Sequence, residues 1–371
     1  MKSSVFPEPR KHLHKIGEYT SGKTSKDFNK KQHNSIKLSS NEASWGPSPY
    51  ALNSLRRLAN TINLYPESQP LELREAIAGF NNISSDNIVL GNGSNEIIQF
   101  ILQAYINSGD NIVVPDLTFS MYRIYAEISG IKVRTAPVDD SFDISLDRLA
   151  SKITSKTKAL FIANPNNPTG LLLNKMNLEL FLMGLNKDIL VVIDEAYGDF
   201  CEDDLKPDFI SMIKSGRHPN LIILKTFSKA FGLAGLRLGY GIACKTIANN
   251  LKKVSQPFNI NSLAVITGVD SLKKLSHYYR VIHQTSVGKK YLEAKLRESG
   301  ISFLPTFANF IMIYVKDAKD VAAYLGNQGI IVRDLTSFGL DEYIRVTISN
   351  HEHNRQFISQ LNDYYRKEED V

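Results

Sequence analysis

The stretch LIILKTFSKAFGLAGLRLGYGIA, residues 221–243, decides the fold of this chain. It begins with a short apolar run, LIILKTF, which is typical of a strand buried on both faces of a parallel sheet. A second apolar run, LRLGYGIA, follows after only about ten residues. Because a parallel crossover connection needs a dozen residues or more, we expect the second strand to run antiparallel to the first.

Four further apolar runs alternate with helical patterns and predict the rest of the sheet. Helices are expected at residues 94–106 and 119–130, the second ending at a glycine. The runs are NIVVP (111–115), KVRTAPV (132–138), ALFIANP (159–165) and ILVVIDEAY (189–197). Strands that alternate with helices in this way indicate an α/β domain with a mainly parallel sheet.

The pattern changes after about residue 256. A charged helical stretch at about 270–299 leads to the strand pattern ANFIMIYV (308–315), then to a helix and two more strand patterns, IIVRDL and EYIRVTIS. Helices interleaved with a few strands predict a smaller α+β domain.

Composition limits the class of protein. The chain has 371 residues, 43% of them apolar and 22% charged, which is typical of a globular protein large enough for two domains. No apolar run approaches the ~18 residues that span a membrane, and the N-terminal residues show no secretory pattern. The two cysteines, Cys201 and Cys244, fit a reducing cytoplasm.

The net charge of +6 comes from the first 37 residues, which hold nine Lys or Arg and three Asp or Glu. Without interleaved aromatic residues or a known binding motif, we interpret this arm as a solvated segment and expect no nucleic-acid partner. His351 and His353 flank Glu352, a spacing that does not share a helix face, and we expect no metal site.

Two ionisable residues stand in apolar surroundings. Lys229 lies in a glycine-rich apolar turn, where its stem could pack while its ammonium reaches water, or where burial could lower its pKa for Schiff-base formation. Asp194 ends the run ILVVID, at the sheet edge where ligands of α/β proteins bind; alone it could equally be a salt-bridge or capping residue. Pyridoxal phosphate requires both groups, a lysine for its aldehyde and an acid for its pyridine nitrogen.

Two loops supply further polar groups. GNGSNE (91–96) precedes a predicted helix, whose first N–H groups and dipole form an anion site, although a plain turn and cap would look the same. NPNNPTG (164–170) follows a strand and brings three asparagine side chains to the same edge of the sheet.

Together these motifs resemble the fold-type-I pyridoxal-phosphate aminotransferases. The resemblance rests on NPNNPTG, VVIDEAYGDF, KTFSKAFGLAGLRLGYG and IRVTIS, which cover nearly the whole chain in the family's order. It extends to the histidinol-phosphate aminotransferase branch through YTSGK (19–23), KLSSNE (37–42), LYPES (64–68), LGNGSNEII (90–98), PDLTFSMY (115–122) and GIIVRDL (329–335).

The resemblance implies an architecture. A large cofactor-binding domain would have a mostly parallel seven-stranded sheet flanked by helices, and a smaller α+β domain would be formed by both termini. We expect an N-terminal arm and part of the small domain at residues 1–44, the large domain at 45–256 and the small domain at 257–371.

The resemblance also implies roles for the site residues. Lys229 would form the Schiff base and move the substrate proton, while Asp194 would pair with the pyridine nitrogen. Asn167 and Tyr197 would hydrogen-bond the ring hydroxyl, and Phe119 would stack on the ring. The residues expected to hold the cofactor phosphate are Ser94, Asn95, Thr226, Ser228, Arg237 and, across a homodimer interface, Tyr65.

The substrate residues implied by the resemblance are Arg345 for the α-carboxylate and Arg333 with Tyr19 for a distal phosphate. The chain departs from the family in the loop at residues 43–46, where Ala43 and Ser44 replace a common Asn-Pro and are followed by Trp45 and Gly46, which bears on side-chain specificity. Leu64 replaces a common arginine, and Asn95 stands where aspartate is frequent.

The expected function is therefore a cytoplasmic, homodimeric aminotransferase that exchanges an amino donor and a 2-oxo acid. The favoured pair is histidinol phosphate with 2-oxoglutarate, giving imidazole acetol phosphate and glutamate. Two alternatives stay open at this point: an aromatic or other amino acid aminotransferase, and a threonine-phosphate decarboxylase, which would be a lyase.

Overall fold

The structure is a computed structural model that describes residues 8–16, 22–28 and 35–369. The helices in these ranges are α1 Pro49–Leu58, α2 Leu71–Phe80, α3 Ser94–Tyr105, α4 Met121–Ile128, α5 Leu146–Ser151, α6 Lys175–Gly184, α7 Phe209–Lys214, α8 Lys245–Val254, α9 Ser262–Lys273, α10 Ser276–Glu298, α11 Ala318–Asn327 and α12 His351–Glu369. None of these described helices combines the length and apolar character needed to cross a bilayer.

The strands are β1 Ile36–Lys37, β2 Ile88–Asn92, β3 Asn111–Pro115, β4 Lys132–Ala136, β5 Thr157–Ala163, β6 Leu190–Asp194, β7 Leu221–Thr226, β8 Leu238–Ala243, β9 Phe310–Tyr314, β10 Ile330–Ile331, β11 Arg333–Leu335 and β12 Leu340–Thr347. Seven of them form the main sheet in the spatial order β2-β8-β7-β6-β5-β3-β4. β8 runs antiparallel to β2 and β7, and the other pairings are parallel. The predicted α/β fold and its antiparallel last strand are confirmed.

Both faces of this sheet are covered, which explains the continuous apolar runs. In β6, Val191 and Ile193 belong to one core, together with residues of α2, α6 and α9. Leu190 and Val192 alternate with them and belong to a second core, together with residues of α3, α4 and α8. Strands buried on two sides need no polar alternation, so period-two patterning is absent from β6.

Local boundaries differ from the sequence patterns in three places. The segment GNG is turn-like in sequence, but Gly91 and Asn92 continue β2, a strand that the apolar runs do not predict. The helix expected from residue 119 begins at Met121, after Phe119 and Ser120. The charged stretch at about 270–299 contains a break between α9 and α10.

A smaller antiparallel sheet, β11-β12-β9, forms the centre of a third core. Leu38 packs into this core beside Leu292 and Ile311, and β1 pairs in parallel with β10, so chain from near both termini meets here. α9, in contrast, contributes Ala264 to a core of the large sheet. The domain boundaries at 44/45 and 256/257 stay predictions.

Two glycines bring β8 against the start of α3. A Cβ atom added to Gly239 would overlap the Ser94 backbone nitrogen, and Gly93 adopts a positive φ of 78° just before the helix. This close approach requires residues without a side chain.

We expect Gly239→Ala to lower the free energy of unfolding by about 1–3 kcal/mol, because the new methyl group must displace backbone. Gly79→Ala in α2 is the control, since its Cβ would enter open space, and it should stabilise by up to about 1 kcal/mol. Chemical denaturation of both variants measures the difference. A Gly239→Ala protein as stable as the wild type would show that the approach is not tight.

Candidate active site

A cavity of about 380 Å³ opens where the main sheet ends. β5, β6 and β7 are neighbouring parallel strands, so their carboxyl ends and the loops that follow meet at one edge. The cavity is lined by Ser40, Glu42, Ser94, Asn95, Phe119, Tyr122, Ala163, Asn167, Asp194, Ala196, Tyr197, Thr226, Ser228, Lys229, Ala234, Gly235 and Arg237. This lining brings together Lys229, Asp194 and all the other residues expected to bind the cofactor except Tyr65.

Lys229 follows β7 and points its amine into the cavity. The Nζ atom donates a hydrogen bond to the Ser40 carbonyl oxygen at 3.2 Å and lies 5.5 Å from the centre of the Tyr197 ring. Burial, reinforced by the Arg345 guanidinium, lowers the pKa of Lys229 from about 10.5 to about 7. A substantial fraction of this amine is therefore neutral, and thus nucleophilic, near neutral pH.

Asp194 ends β6 and is 4% exposed. Its Oδ2 accepts a hydrogen bond from the Tyr122 hydroxyl at 2.8 Å, and its Oδ1 accepts one from the Ala196 N–H at 3.0 Å. Burial raises the pKa of Asp194 to about 6, while both hydrogen bonds and the Lys229 charge act in the opposite direction. The carboxylate is thus mostly ionised at pH 7 and able to hold a cation.

Part of the cavity wall is formed by the start of α3 and by the turn before β8. α3 begins without a side-chain cap, so its first N–H groups are available to an anion. Arg237 adopts a left-handed backbone with φ 57° and donates from Nη1 to the Ser228 hydroxyl at 3.5 Å. The Ser228 N–H in turn donates to the Thr226 hydroxyl at 3.1 Å. The start of α3, the Thr226 and Ser228 hydroxyl groups and the positively charged Arg237 guanidinium therefore line the same part of the cavity.

The opposite wall carries amide and phenol groups. Tyr197 is buried, and its hydroxyl oxygen accepts a hydrogen bond from the Asn41 side-chain amide at 3.0 Å. The Asn167 side-chain oxygen accepts from the Arg345 guanidinium, which also donates to the Ser39 carbonyl oxygen at 3.0 Å. The Arg345 guanidinium is therefore hydrogen-bonded to Asn167, a residue that lines the cavity.

A second cavity of about 540 Å³ adjoins the first and shares Lys229, Asn167 and Tyr197 with it. Arg333 on β11 and Arg345 on β12 are Cα partners across the antiparallel pair, and both line this cavity although they are only 7% and 8% exposed. Two buried guanidinium groups on one wall suit substrates that carry a phosphate or carboxylate group. Of the residues expected to bind substrate, Tyr19 lies outside the described residues.

These residues fit the cofactor that the resemblance implies. Pyridoxal phosphate needs a reactive amine, an anion beside its ring nitrogen and a phosphate cradle, and Lys229, Asp194 and the α3 start with Gly93 supply these features. The described residues contain no group of three or more His, Cys, Asp or Glu that could hold a metal ion.

Comparisons with known proteins identify the family of the chain. The family model for aminotransferases of class I and II matches residues 33–361. The chain belongs to the class I and II aminotransferases.

Similar proteins include two named histidinol-phosphate aminotransferases. One, from Moorella thermoacetica, is 38% identical over 97% of this chain and 94% of its own length. Another, from Carboxydothermus hydrogenoformans, is 36% identical over 95% of this chain and 98% of its own length. A crystal structure of the Sinorhizobium meliloti histidinol-phosphate aminotransferase with pyridoxal-5'-phosphate has a TM-score of 0.88, 22% identity, and coverage of 98% of this chain and 99% of that one, a likeness of fold.

The aminotransferase site also contains residues that the sequence patterns missed. Tyr122 bonds Asp194, Asn41 bonds Tyr197, and Ser40 receives the Lys229 hydrogen bond. The spacing of Tyr122, three residues after Phe119 on a helical pattern, was a usable signal because such residues share a face. The Asn41 contact joins chain segments too distant in sequence for any local pattern.

Tyr65 and the loop at residues 43–46 lie outside both cavities. Tyr65 is 84% exposed, stacks on Phe258 with ring centres 4.9 Å apart, and lines neither cavity of the described chain. The 43–46 loop also lines neither cavity; its Ser44 accepts a hydrogen bond from Ser349 at 2.7 Å.

The lowered pKa predicts a pH-dependent stability difference between cofactor-free wild type and Lys229→Met. The pKa of Lys229 is about 7 in the folded state and about 10.5, the ordinary value for lysine, in the unfolded state. Between these values the folded state binds fewer protons, so wild-type stability rises with pH. Below about pH 7 the Lys229 side chain is charged in both the folded and the unfolded state, and we expect the methionine protein to be more stable by on the order of 5 kcal/mol. This advantage should shrink as the pH rises towards 10.

Denaturation curves at several pH values measure this difference. Lys132→Met on β4 is the control, because replacing an exposed side chain should change stability by less than about 0.5 kcal/mol throughout. A Lys229→Met advantage that is constant with pH would contradict the lowered pKa.

Proposed function

We propose that this aminotransferase uses pyridoxal phosphate to exchange the amino group between histidinol phosphate and 2-oxoglutarate, giving imidazole acetol phosphate and glutamate. One observation carries the proposal: a half-buried lysine, Lys229, and a buried carboxylate, Asp194, line one cavity that adjoins a second cavity with two buried arginines. The names of the relatives, which match over most of the chain, support the choice of substrate.

The cofactor, when bound, supplies an electron sink that acidifies the substrate Cα–H bond. Asp194 holds a proton on the ring nitrogen by its negative charge. Asn167 and Tyr197 would orient the ring through its hydroxyl, and Phe119 would pack on the ring face, a contact worth about 1 kcal/mol beyond its burial. The phosphate is held by Ser94, Asn95, Thr226, Ser228 and Arg237.

Lys229 performs the proton transfer. Its neutral amine would accept the proton from the substrate Cα, and the resulting ammonium would return a proton to C4′ of the cofactor. A pKa of about 7 suits both tasks, because a group is an efficient acid and base when its pKa lies near the working pH. The Ser40 carbonyl oxygen, 3.2 Å from Nζ, holds the amine in place between the two transfers.

Arg345 and Arg333 bind the anionic groups of the substrates. Arg345 binds the α-carboxylate of the 2-oxo acid and amino acid partners, and its position beside Asn167 directs that group towards the ring. Arg333 lies farther along the same cavity and binds a distal phosphate; its guanidinium donates to Ser337 at 3.0 Å, which fixes its direction. Tyr19 belongs to the proposal through the resemblance alone.

Two other functions are less supported. An aromatic aminotransferase would not need Arg333 in the substrate cavity. A threonine-phosphate decarboxylase would need the phosphate grip but would release carbon dioxide in place of the Cα proton. The names of the relatives and the aminotransferase family model favour transamination of histidinol phosphate over both.

We also propose a homodimer in the cytoplasm. Ile62, Leu64 and Tyr65 are 68%, 63% and 84% exposed and follow one another closely, with Phe258 against Tyr65, which is an apolar surface suited to a second copy. Tyr65 would reach the cofactor phosphate of that copy. Sedimentation should give twice 41.6 kDa, and a value of 41.6 kDa would contradict the dimer.

The cytoplasmic location is supported by the cysteines: both are free, in keeping with a reducing compartment.

A substrate panel tests the function. The holoenzyme is mixed separately with histidinol phosphate, phenylalanine and phosphothreonine, and conversion of the bound cofactor to its amine form is followed by absorbance. We expect rapid conversion with histidinol phosphate and slower conversion with phenylalanine. Carbon dioxide release from phosphothreonine without cofactor conversion would identify a lyase instead, and preference for phenylalanine would identify an aromatic aminotransferase.

Arg333→Ala should separate phosphate recognition from chemistry. We expect KM for histidinol phosphate to rise roughly 10- to 100-fold, the effect of losing charge-assisted hydrogen bonds, while KM for the unphosphorylated alcohol histidinol changes little. Steady-state kinetics measure both. Arg355→Ala, at an exposed position on α12, is the control. Equal losses on the two substrates would remove the phosphate role from Arg333.

A further inference from the structure

The hydrogen bond between Tyr122 and Asp194 lies in a closed part of the site. Tyr122 belongs to α4, and its side chain is fully buried. Its ring stacks on Phe161, with centres 5.3 Å apart, and meets the edge of Phe119 at 5.5 Å. The hydroxyl donates to Asp194 Oδ2 at 2.8 Å. The phenol therefore has a fixed ring and a single direction for its O–H group.

The direction of this hydrogen bond follows from the chemistry of the two groups. An ionised carboxylate only accepts hydrogen bonds, so the phenol must donate. Burial and the Asp194 charge raise the pKa of Tyr122 well above its ordinary value, which keeps the hydroxyl protonated. Ala196 N–H occupies the other oxygen of Asp194, so the two donors define the plane of the carboxylate.

Packing alone does not account for the hydroxyl. A phenylalanine would keep both aromatic contacts and would avoid placing a polar atom in the core. The hydroxyl is useful only because a carboxylate is buried beside it, since each donor that satisfies a buried carboxylate favours its ionised form.

We propose that Tyr122 is a positioning residue that keeps Asp194 ionised and aimed at the cofactor ring nitrogen. The inference rests on the proposed function, because only a cofactor with a ring nitrogen gives the carboxylate this task. The inference also gives two roles to residues 119–122, at the start of α4. Phe119, just before the helix, packs on the ring face, while Tyr122 in its first turn holds the anion at the ring edge.

Other charged and titratable groups also act on Asp194. Glu195, in the loop after β6, disfavours ionisation of Asp194, whereas Lys229, after β7, favours it. Losing the Tyr122 donor therefore shifts the balance towards the protonated acid, and the acidic limb of cofactor binding should move to higher pH in Tyr122→Phe.

The experiment compares two ligands in three proteins. Cofactor-free wild type, Tyr122→Phe and Tyr105→Phe are titrated with pyridoxal phosphate and with its 1-deaza analogue, in which a C–H group replaces the ring nitrogen. Tyr105 is the matched control, because its hydroxyl accepts a hydrogen bond from Asn250 at 3.1 Å and it does not line the cavity. Steady-state kinetics of the three holoenzymes accompany the titrations.

We expect Tyr122→Phe to weaken pyridoxal phosphate binding about tenfold and to leave binding of the deaza analogue within about twofold of wild type. Its kcat should fall about tenfold, with KM changed by less than about twofold, and Tyr105→Phe should resemble wild type. Unchanged binding of pyridoxal phosphate by Tyr122→Phe, or an equal loss for both ligands, would overturn the inference.

Two further outcomes are distinguishable. A wild-type protein that does not bind pyridoxal phosphate would overturn the proposed function as well, whereas a normal wild type with a normal Tyr122→Phe overturns only the role of Tyr122.

Should the phenylalanine protein fail to fold, 3-fluorotyrosine at position 122 keeps the ring and supplies a stronger donor. Binding of pyridoxal phosphate should then tighten relative to the deaza analogue, and an unchanged ratio would contradict the inference.

Discussion

The burial of an amine and a carboxylate in one cavity is the constraint on which the rest of this structure depends. Each charge is costly to remove from water, and direct pairing would neutralise both and leave nothing to bind a ligand. Each group instead has its own neutral partners. Lys229 donates to the Ser40 carbonyl oxygen, while Asp194 accepts from Tyr122 and from the backbone. The opposing effects of burial on the two groups bring the pKa values of Lys229 and Asp194 to about 7 and about 6.

The sheet makes this separation possible. Asp194 ends β6, and Lys229 follows the adjacent strand β7, so the register of two parallel strands sets their spacing at a common edge. The antiparallel β8 then returns the chain beside α3, and Gly239 permits the approach that brings the helix start to the same cavity. The candidate active site therefore lies at the carboxyl ends of the parallel strands β5, β6 and β7.

Much of this was predictable from the sequence because the signals are local. Continuous apolar runs predicted the doubly covered strands, and the short connection after β7 predicted the reversal of β8. The position of Asp194 at the end of an apolar run placed it at the functional edge. β2 was missed because Gly91 and Asn92 resemble a turn, whereas pairing with β8 holds them in the strand.

The contacts that sequence reasoning did not find join distant segments. Tyr122 meets Asp194 only after α4 packs on the sheet, and Arg345 meets Asn167 only after the small antiparallel sheet docks. The loop at residues 43–46 departs from a family pattern, yet it contacts Ser349 and lines neither cavity of the described chain. Such outcomes depend on tertiary packing, which local patterns do not encode.

The most direct measurement is the identification of the lysine that binds the cofactor. The protein is incubated with pyridoxal phosphate, reduced with borohydride to make the link permanent, digested and analysed by mass spectrometry. The account predicts that the added mass lies on the peptide containing Lys229. Modification of another lysine, or none under conditions where the cofactor is bound, would contradict it.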